Sequence, residues 1–157
     1  MKRIRLNIWI PPFLWMAFIF FFSTEVFSEE STGSLILPVL KALFPHASPE
    51  SLENIHFFIR KMSHFTEFGI LSLLWLRTLR NGWEGMPFPF YIASFILSTV
   101  YAIIDELHQS FVSVRTPSSI DVLIDSLGAA SSLVLLKIFQ SFRYKKPLTE
   151  EKGNGKN

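Results

Sequence analysis

The chain has 157 residues, 49% of them hydrophobic and 15% aromatic, with seventeen phenylalanines and a mean hydropathy of +0.33. That is more phenylalanine than a soluble domain of this size can bury, and it suits contact with lipid. There is no cysteine, which excludes disulfides and thiolate metal sites, and the formal charge of +2 comes from basic residues scattered beside hydrophobic runs, a pattern of membrane topology and not of a nucleic-acid surface.

Lys2, Arg3 and Arg5 precede an apolar run over residues 6–22. A signal peptide is the competing reading. The run is about as long as a full span, however, and Ser23-Thr24-Glu25 stands where a small-residue cleavage site would be, so a retained first membrane helix is expected. Pro11-Pro12 kinks that helix or marks where its regular part begins. Residues 35–44 are apolar but too short to span, and they read as an interfacial helix. Pro45-His-Ala-Ser-Pro49 is a break in which Ser48 supplies an N-cap and Pro49 a first-turn proline. The helix begun there runs through Ile55-His-Phe-Phe-Ile59 into a second span over 59–79.

Asn81-Gly-Trp-Glu-Gly85 is a tight turn, and a third span follows over 87–107. A loop around Arg115-Thr-Pro-Ser-Ser119 leads to a fourth span over 120–140, where Gly128-Ala-Ala-Ser-Ser132 allows close helix packing. Residues 1–143 form one transmembrane domain, and 144–157 read as a disordered charged cytoplasmic tail. The expected fold is an all-α membrane protein, a four-transmembrane-helix bundle with a short interfacial helix in the first external loop. Eleven Lys and Arg residues fall on one side of it, against Lys41, Arg60, Lys61 and Arg115 on the other, which makes both termini cytoplasmic.

With this topology nearly every unusual polar residue comes to the external ends of the helices. The third span carries no charge from 87 to 104, and then Asp105, Glu106, His108 and Gln109 arrive within about one helical turn. Asp105, His108 and Gln109 share a face at i, i+3 and i+4, with Tyr101 one turn below. The first span ends in Ser23-Thr24-Glu25. The second begins Arg60-Lys-Met-Ser-His-Phe-Thr-Glu67, with His64 and Glu67 three apart; Arg115 sits in the last loop; the fourth span begins with Asp121 and Asp125 on one face.

Depth ranks these residues. A charge inside the hydrocarbon costs roughly 2.5–3.5 kcal/mol on insertion scales, whereas one among the headgroups costs little. Arg60, Lys61, Glu25 and Asp121 read most simply as interfacial, as do His46 and His56 outside the cluster. Glu67 and Asp125 lie deeper and need partners inside the bundle, for which His64, Lys61 and Arg115 are the candidates. Three cations face five carboxylates, or six with Glu25. Such an excess calls for protonated carboxyls, a charged His64 or His108, or a bound cation.

A structural network of ion pairs and hydrogen bonds accounts for the cluster most simply, ahead of a substrate pocket without metal. A divalent-metal site built from His64, Glu67, Asp105, His108 and Asp125 comes last, because Asp105-Glu-Leu-His108 lacks the His-Glu-x-x-His pattern. No phosphate loop, nucleophile elbow or aromatic–basic stripe is present, and no cofactor is indicated.

Residues Phe20-Phe-Phe-Ser23, Arg60-Lys-Met-Ser-His-Phe-Thr-Glu-Phe-Gly69, Tyr101-Ala-Ile-Ile-Asp-Glu-Leu-His-Gln-Ser-Phe111, and Arg115 with Asp121-Val-Leu-Ile-Asp-Ser-Leu-Gly128 resemble the motifs of the VanZ-like family of bacterial membrane proteins, over about residues 5–140. Members commonly carry Asn or a similar residue where Asp125 stands, and Gly or Pro where Val114 precedes the arginine. The resemblance implies a small multi-pass protein of the bacterial plasma membrane, in a family named for its association with resistance to teicoplanin-type glycopeptides.

Two functions compete. The first is a non-enzymatic protein that binds or shields a lipid-linked cell-wall precursor or a glycopeptide antibiotic. Arg60, Lys61, His64, Glu106, Gln109, Arg115, Asp121 and Asp125 would form its binding surface. The alternative is a membrane-embedded hydrolase or transferase acting on a lipid-linked envelope substrate. There Glu67 or Asp105 would be the general base, His108 or His64 its acid/base partner, and Arg115 the holder of an anionic group. A transporter fits less well, since the intramembrane charges near the cytoplasmic half are only Arg77 and Lys137, which can snorkel.

Overall fold

The computed structural model describes residues 6–81, 88–111 and 118–144. The basic start, the turn expected at 82–85, Arg115 and the tail from 145 onward lie outside the described residues. Within them the chain is helical, with five α-helices: α1 (Ile10–Phe22), α2 (Glu29–Leu43), α3 (Pro49–Leu79), α4 (Phe88–Gln109) and α5 (Ser119–Tyr144).

Local chemistry sets the starts. Pro11 and Pro12 occupy the first turn of α1, where the missing N–H groups cost nothing, after a 3-10 turn at Leu6–Ile8. The helix therefore has 13 residues and is about 20 Å long, shorter than the apolar run. Ser48 caps α3 as expected, its hydroxyl accepting from the Ser51 N–H at 3.2 Å ahead of Pro49.

α2 is longer than the apolar stretch at 35–44. It starts at Glu29, six residues before the hydrophobic pattern, because the Ser28 hydroxyl caps it (3.3 Å to the Ser31 N–H) and Glu29 and Glu30 complement the helix dipole. At its other end the Lys41 ammonium donates to the carbonyls of Pro45 and Ala47.

Two helices, Phe88–Gln109 and Ser119–Phe142, are long and apolar enough to cross a membrane; Ile10–Phe22 with Glu25–Leu43, bent by 70°, would make a third only if taken as one span. The 31-residue α3 is not among them, since its apolar part carries His64, Glu67 and Arg77. Large apolar side chains such as Leu14, Ile96, Leu135 and Phe142 point outward, which is the surface a lipid solvent accepts.

α5 packs closely on α3 and also on α4, and α1 and α2 both lie chiefly on α3. At the α3–α5 crossing a Cβ on Gly128 would stand 2.0 Å from the Phe65 carbonyl oxygen, so only glycine permits that approach, as the small-residue run led one to expect. Ile19, Phe68, Leu71, Trp75, Tyr101 and Ala102 form the core beside it.

Side-chain hydrogen bonds set helix directions. The Thr78 hydroxyl donates to the Ile8 carbonyl (2.9 Å) and the Trp15 indole N–H to the Glu67 carbonyl (2.9 Å), so α1 runs antiparallel to α3. Tyr101 donates to Met16 (2.6 Å) and Ser23 to Asp105 (2.6 Å), so α1 runs parallel to α4. These directions bring the end of α1, the middle of α3, the end of α4 and the start of α5 to one end of the bundle.

Candidate functional site

Two polar knots and one cleft occupy that end. The inner knot is centred on Asp105, only 2% exposed. Its carboxylate accepts from the Ser23 hydroxyl at 2.6 Å and from the Gln109 amide N–H at 2.9 Å; Gln109 also reaches the Ser23 oxygen at 3.4 Å. Asp105 and Gln109 meet because they are one turn apart on α4. The partner from α1 is available because that helix ends at Phe22 and leaves Ser23 as its C-cap residue. A carboxylate so deep is tolerable only with such donors.

The second knot joins α3 to α5. His64 Nδ1 stands 3.3 Å from Asp125 Oδ1, with Asp125 1% exposed. One turn earlier on both helices Lys61 pairs with Asp121. The Glu106 carboxylate reaches over from α4 and accepts from the Ser118 N–H at the start of α5, tying down an otherwise orphan donor. Glu106, Asp121, Asp125 and His64 lie close enough to interact electrostatically, and Asp125 also interacts with Asp105, so the knots are neighbours. Asp121 is thus buried and paired, because the close α3–α5 crossing brings Lys61 within reach.

A cleft of about 570 Å³ opens beside the knots, between the end of α1, α2 and α3. Its polar lining includes Arg60, His64, Glu67 and Ser23, and its apolar lining Phe22, Phe27 and Ile59. Ser23 connects the cleft to the interior, since its hydroxyl donates to Asp105 while the residue lines the wall. Glu67 is half-buried in that wall, and Asp105 stands one hydrogen bond behind it. Arg60 Nη1 lies 2.6 Å from the exposed Glu29 of α2. His108 is turned elsewhere: its ring packs on Phe20 of α1, centroids 4.2 Å apart, and not on a carboxylate among the described residues.

His56 is buried between α3 and α2. It sits against Gly33 of α2, where an added Cβ would stand 3.5 Å from its Cε1, and its Nε2 is 3.3 Å from the Thr32 hydroxyl. Burial holds its pKa below the ordinary 6.5, and nearby Arg60 adds to this against the opposing pull of Glu29.

Sequence reasoning proposed Lys61, His64, Glu106, Gln109, Asp121 and Asp125, and the structure gathers them with Asp105. Arg115 lies outside the described residues. No group of three His, Asp or Glu side chains is arranged to hold a metal ion among the described residues. Ser23 and Thr32 join the site only in the folded chain; the sequence signal for Ser23 is a polar residue ending a Phe-rich helix.

A family model described as VanZ/LLP1 matches residues 8–140. No curated protein and no solved structure matches the chain. The match takes in all five helices but the last turn of α5, and the chain belongs to this family.

Proposed function

From membership of the VanZ/LLP1 family, we propose that the chain is a four-pass protein of the bacterial plasma membrane with both termini cytoplasmic, and that its outward cleft binds or shields a lipid-linked envelope component. Such shielding would contribute to tolerance of teicoplanin-type glycopeptides or to envelope homeostasis. Four passes take α1, α3, α4 and α5 as spans and leave α2 on the membrane surface. The excess of Lys and Arg at the other end of these helices orients them.

One observation carries the binding reading. The cleft joins apolar walls to Arg60, His64 and Glu67, and the buried knots of Asp105 and Asp125 hold its walls in place. An amphiphile presents the same mixture. The test is to express wild-type and variant chains in a susceptible bacterium and to measure membrane abundance and glycopeptide susceptibility together. Glu67→Ala and Ser63→Trp, both on the cleft wall, should raise susceptibility at unchanged abundance. Variants as tolerant as wild type would overturn the reading.

The His64–Asp125 pair favours a second reading, a hydrolase or transferase acting on a lipid-linked substrate. With Nδ1 3.3 Å from a buried carboxylate on a residue that lines the cleft, His64 would act as a general base through Nε2. Glu67 would then act beside it. Turnover of lipid-linked precursors by purified protein, lost in His64→Gln, is the expected result; absence of turnover with and without divalent metals would sink this reading.

A further inference from the structure

The cleft does not end at its polar walls. A second hollow of about 470 Å³ continues from it along α3 toward α1, and the two share Ile59, Ser63 and Glu67. The second is lined by Trp15, Phe18, Phe58, Met62, Thr66 and Ile70. Two of its polar groups are turned inward: the Trp15 N–H donates to the Glu67 carbonyl, and the Thr66 hydroxyl donates to the Met62 carbonyl at 2.7 Å. With Ser63 and Glu67 on the side shared with the cleft, the rest of the groove offers mainly carbon to its occupant. From Phe58 to Ile70 it follows α3 for roughly 18 Å, close to half of a hydrocarbon core of about 30 Å. That is the depth of one leaflet.

Hydrogen-bond accounting defines the head of the occupant. In the upper cleft the Ser63 hydroxyl gives its proton to the Ile59 carbonyl (3.1 Å), and the Thr32 hydroxyl gives its proton to the Ser28 carbonyl (2.7 Å) with its oxygen against His56, so neither is a donor toward the cleft. Arg60 is the strong donor on the wall, and its guanidinium is engaged by Glu29, whose side chain is 67% exposed. Such a pair exchanges readily for a better anion. A guanidinium prefers a phosphate, which it can grip with two parallel N–H groups.

We propose that cleft and groove together form the site of one phosphate-bearing lipid, with its phosphate on Arg60 and one hydrocarbon chain along the α1–α3 groove. Glu29 of α2 is then the competitor that the phosphate displaces. This rests on the binding reading above and deepens it by naming the class of ligand.

The test uses the purified full-length chain, delipidated in mild detergent and titrated with phosphatidylglycerol, with a polyprenyl phosphate and with diacylglycerol, while native mass spectrometry counts bound lipid. One molecule of either phosphate lipid per chain is expected, and diacylglycerol is expected to bind far more weakly. Arg60→Ala should weaken both phosphate lipids about tenfold. Glu29→Gln should tighten them, by up to about fivefold, because it removes the competitor. Met62→Trp fills the groove from an exposed position and should abolish the bound lipid; an unchanged thermal transition shows that this variant folds.

Equal affinity for diacylglycerol and phosphatidylglycerol, or an Arg60→Ala variant that binds like wild type, would overturn the inference. The arms also separate it from the broader reading. Retention of an envelope lipid that lacks phosphate would sink the inference and leave the binding function standing. Failure to retain any lipid class would sink both.

Discussion

Asp105 shows how much one buried residue decides. It joins α1 to α4 through Ser23 and satisfies Gln109 on its own helix. Replacing it with Leu removes the acceptor that the Ser23 hydroxyl and the Gln109 amide share, at about 1–3 kcal/mol for each group. Asp105→Asn is milder, because the Gln109 amide can flip and the Ser23 hydroxyl can rotate to suit one donor and one acceptor. Ser23→Ala should cost about 1 kcal/mol. Thermal unfolding in one detergent should rank the variants wild type, Ser23→Ala or Asp105→Asn, then Asp105→Leu. A Leu variant as stable as wild type would remove the knot from any structural role.

The attachment of α2 is expected to respond to pH. This helix reaches α3 through His56, which packs on Gly33 and Thr32 with Arg60 and Glu29 as its charged neighbours. The folded pKa of His56 lies below the ordinary 6.5, so the docked state holds the imidazole neutral while the undocked state takes up a proton more easily. Docking is therefore at full strength above 6.5 and weakens as pH falls below it. Hydrogen exchange of the α2 amides, corrected for the intrinsic pH dependence of exchange, should show protection lost on acidification. His56→Gln should abolish that change; retention of the same pH response in this variant would assign it to another group. Capping serines mark the starts of both α2 and α3; the signal at Ser48 is sharpened by Pro49, whereas the first turn after Ser28 is polar and carries no hydrophobic pattern.

At the scale of the molecule the outstanding proposal is sidedness, and the absence of native cysteine makes it accessible. A single cysteine at Ser110, just beyond α4, should react with a membrane-impermeant thiol reagent on intact cells. One at Asn81, just beyond α3, should react only after permeabilisation. The reverse pattern would invert the bundle and turn the cleft toward the cytoplasm. Composition and period alone determined that the chain is helical and suited to lipid, since seventeen phenylalanines and long uncharged runs admit few other solutions. They also singled out the buried Asp105, Glu106 and Asp125, because charge inside an apolar segment is costly enough to stand out in one dimension. Partners, in contrast, are properties of helix direction and crossing. Asp121 meets Lys61, and His64 meets Asp125, only because Gly128 lets α5 approach the Phe65 backbone; His56 is buried only because α2 folds back over α3. Those contacts run across 24 to 63 residues of chain, and only the packed helices bring their ends together.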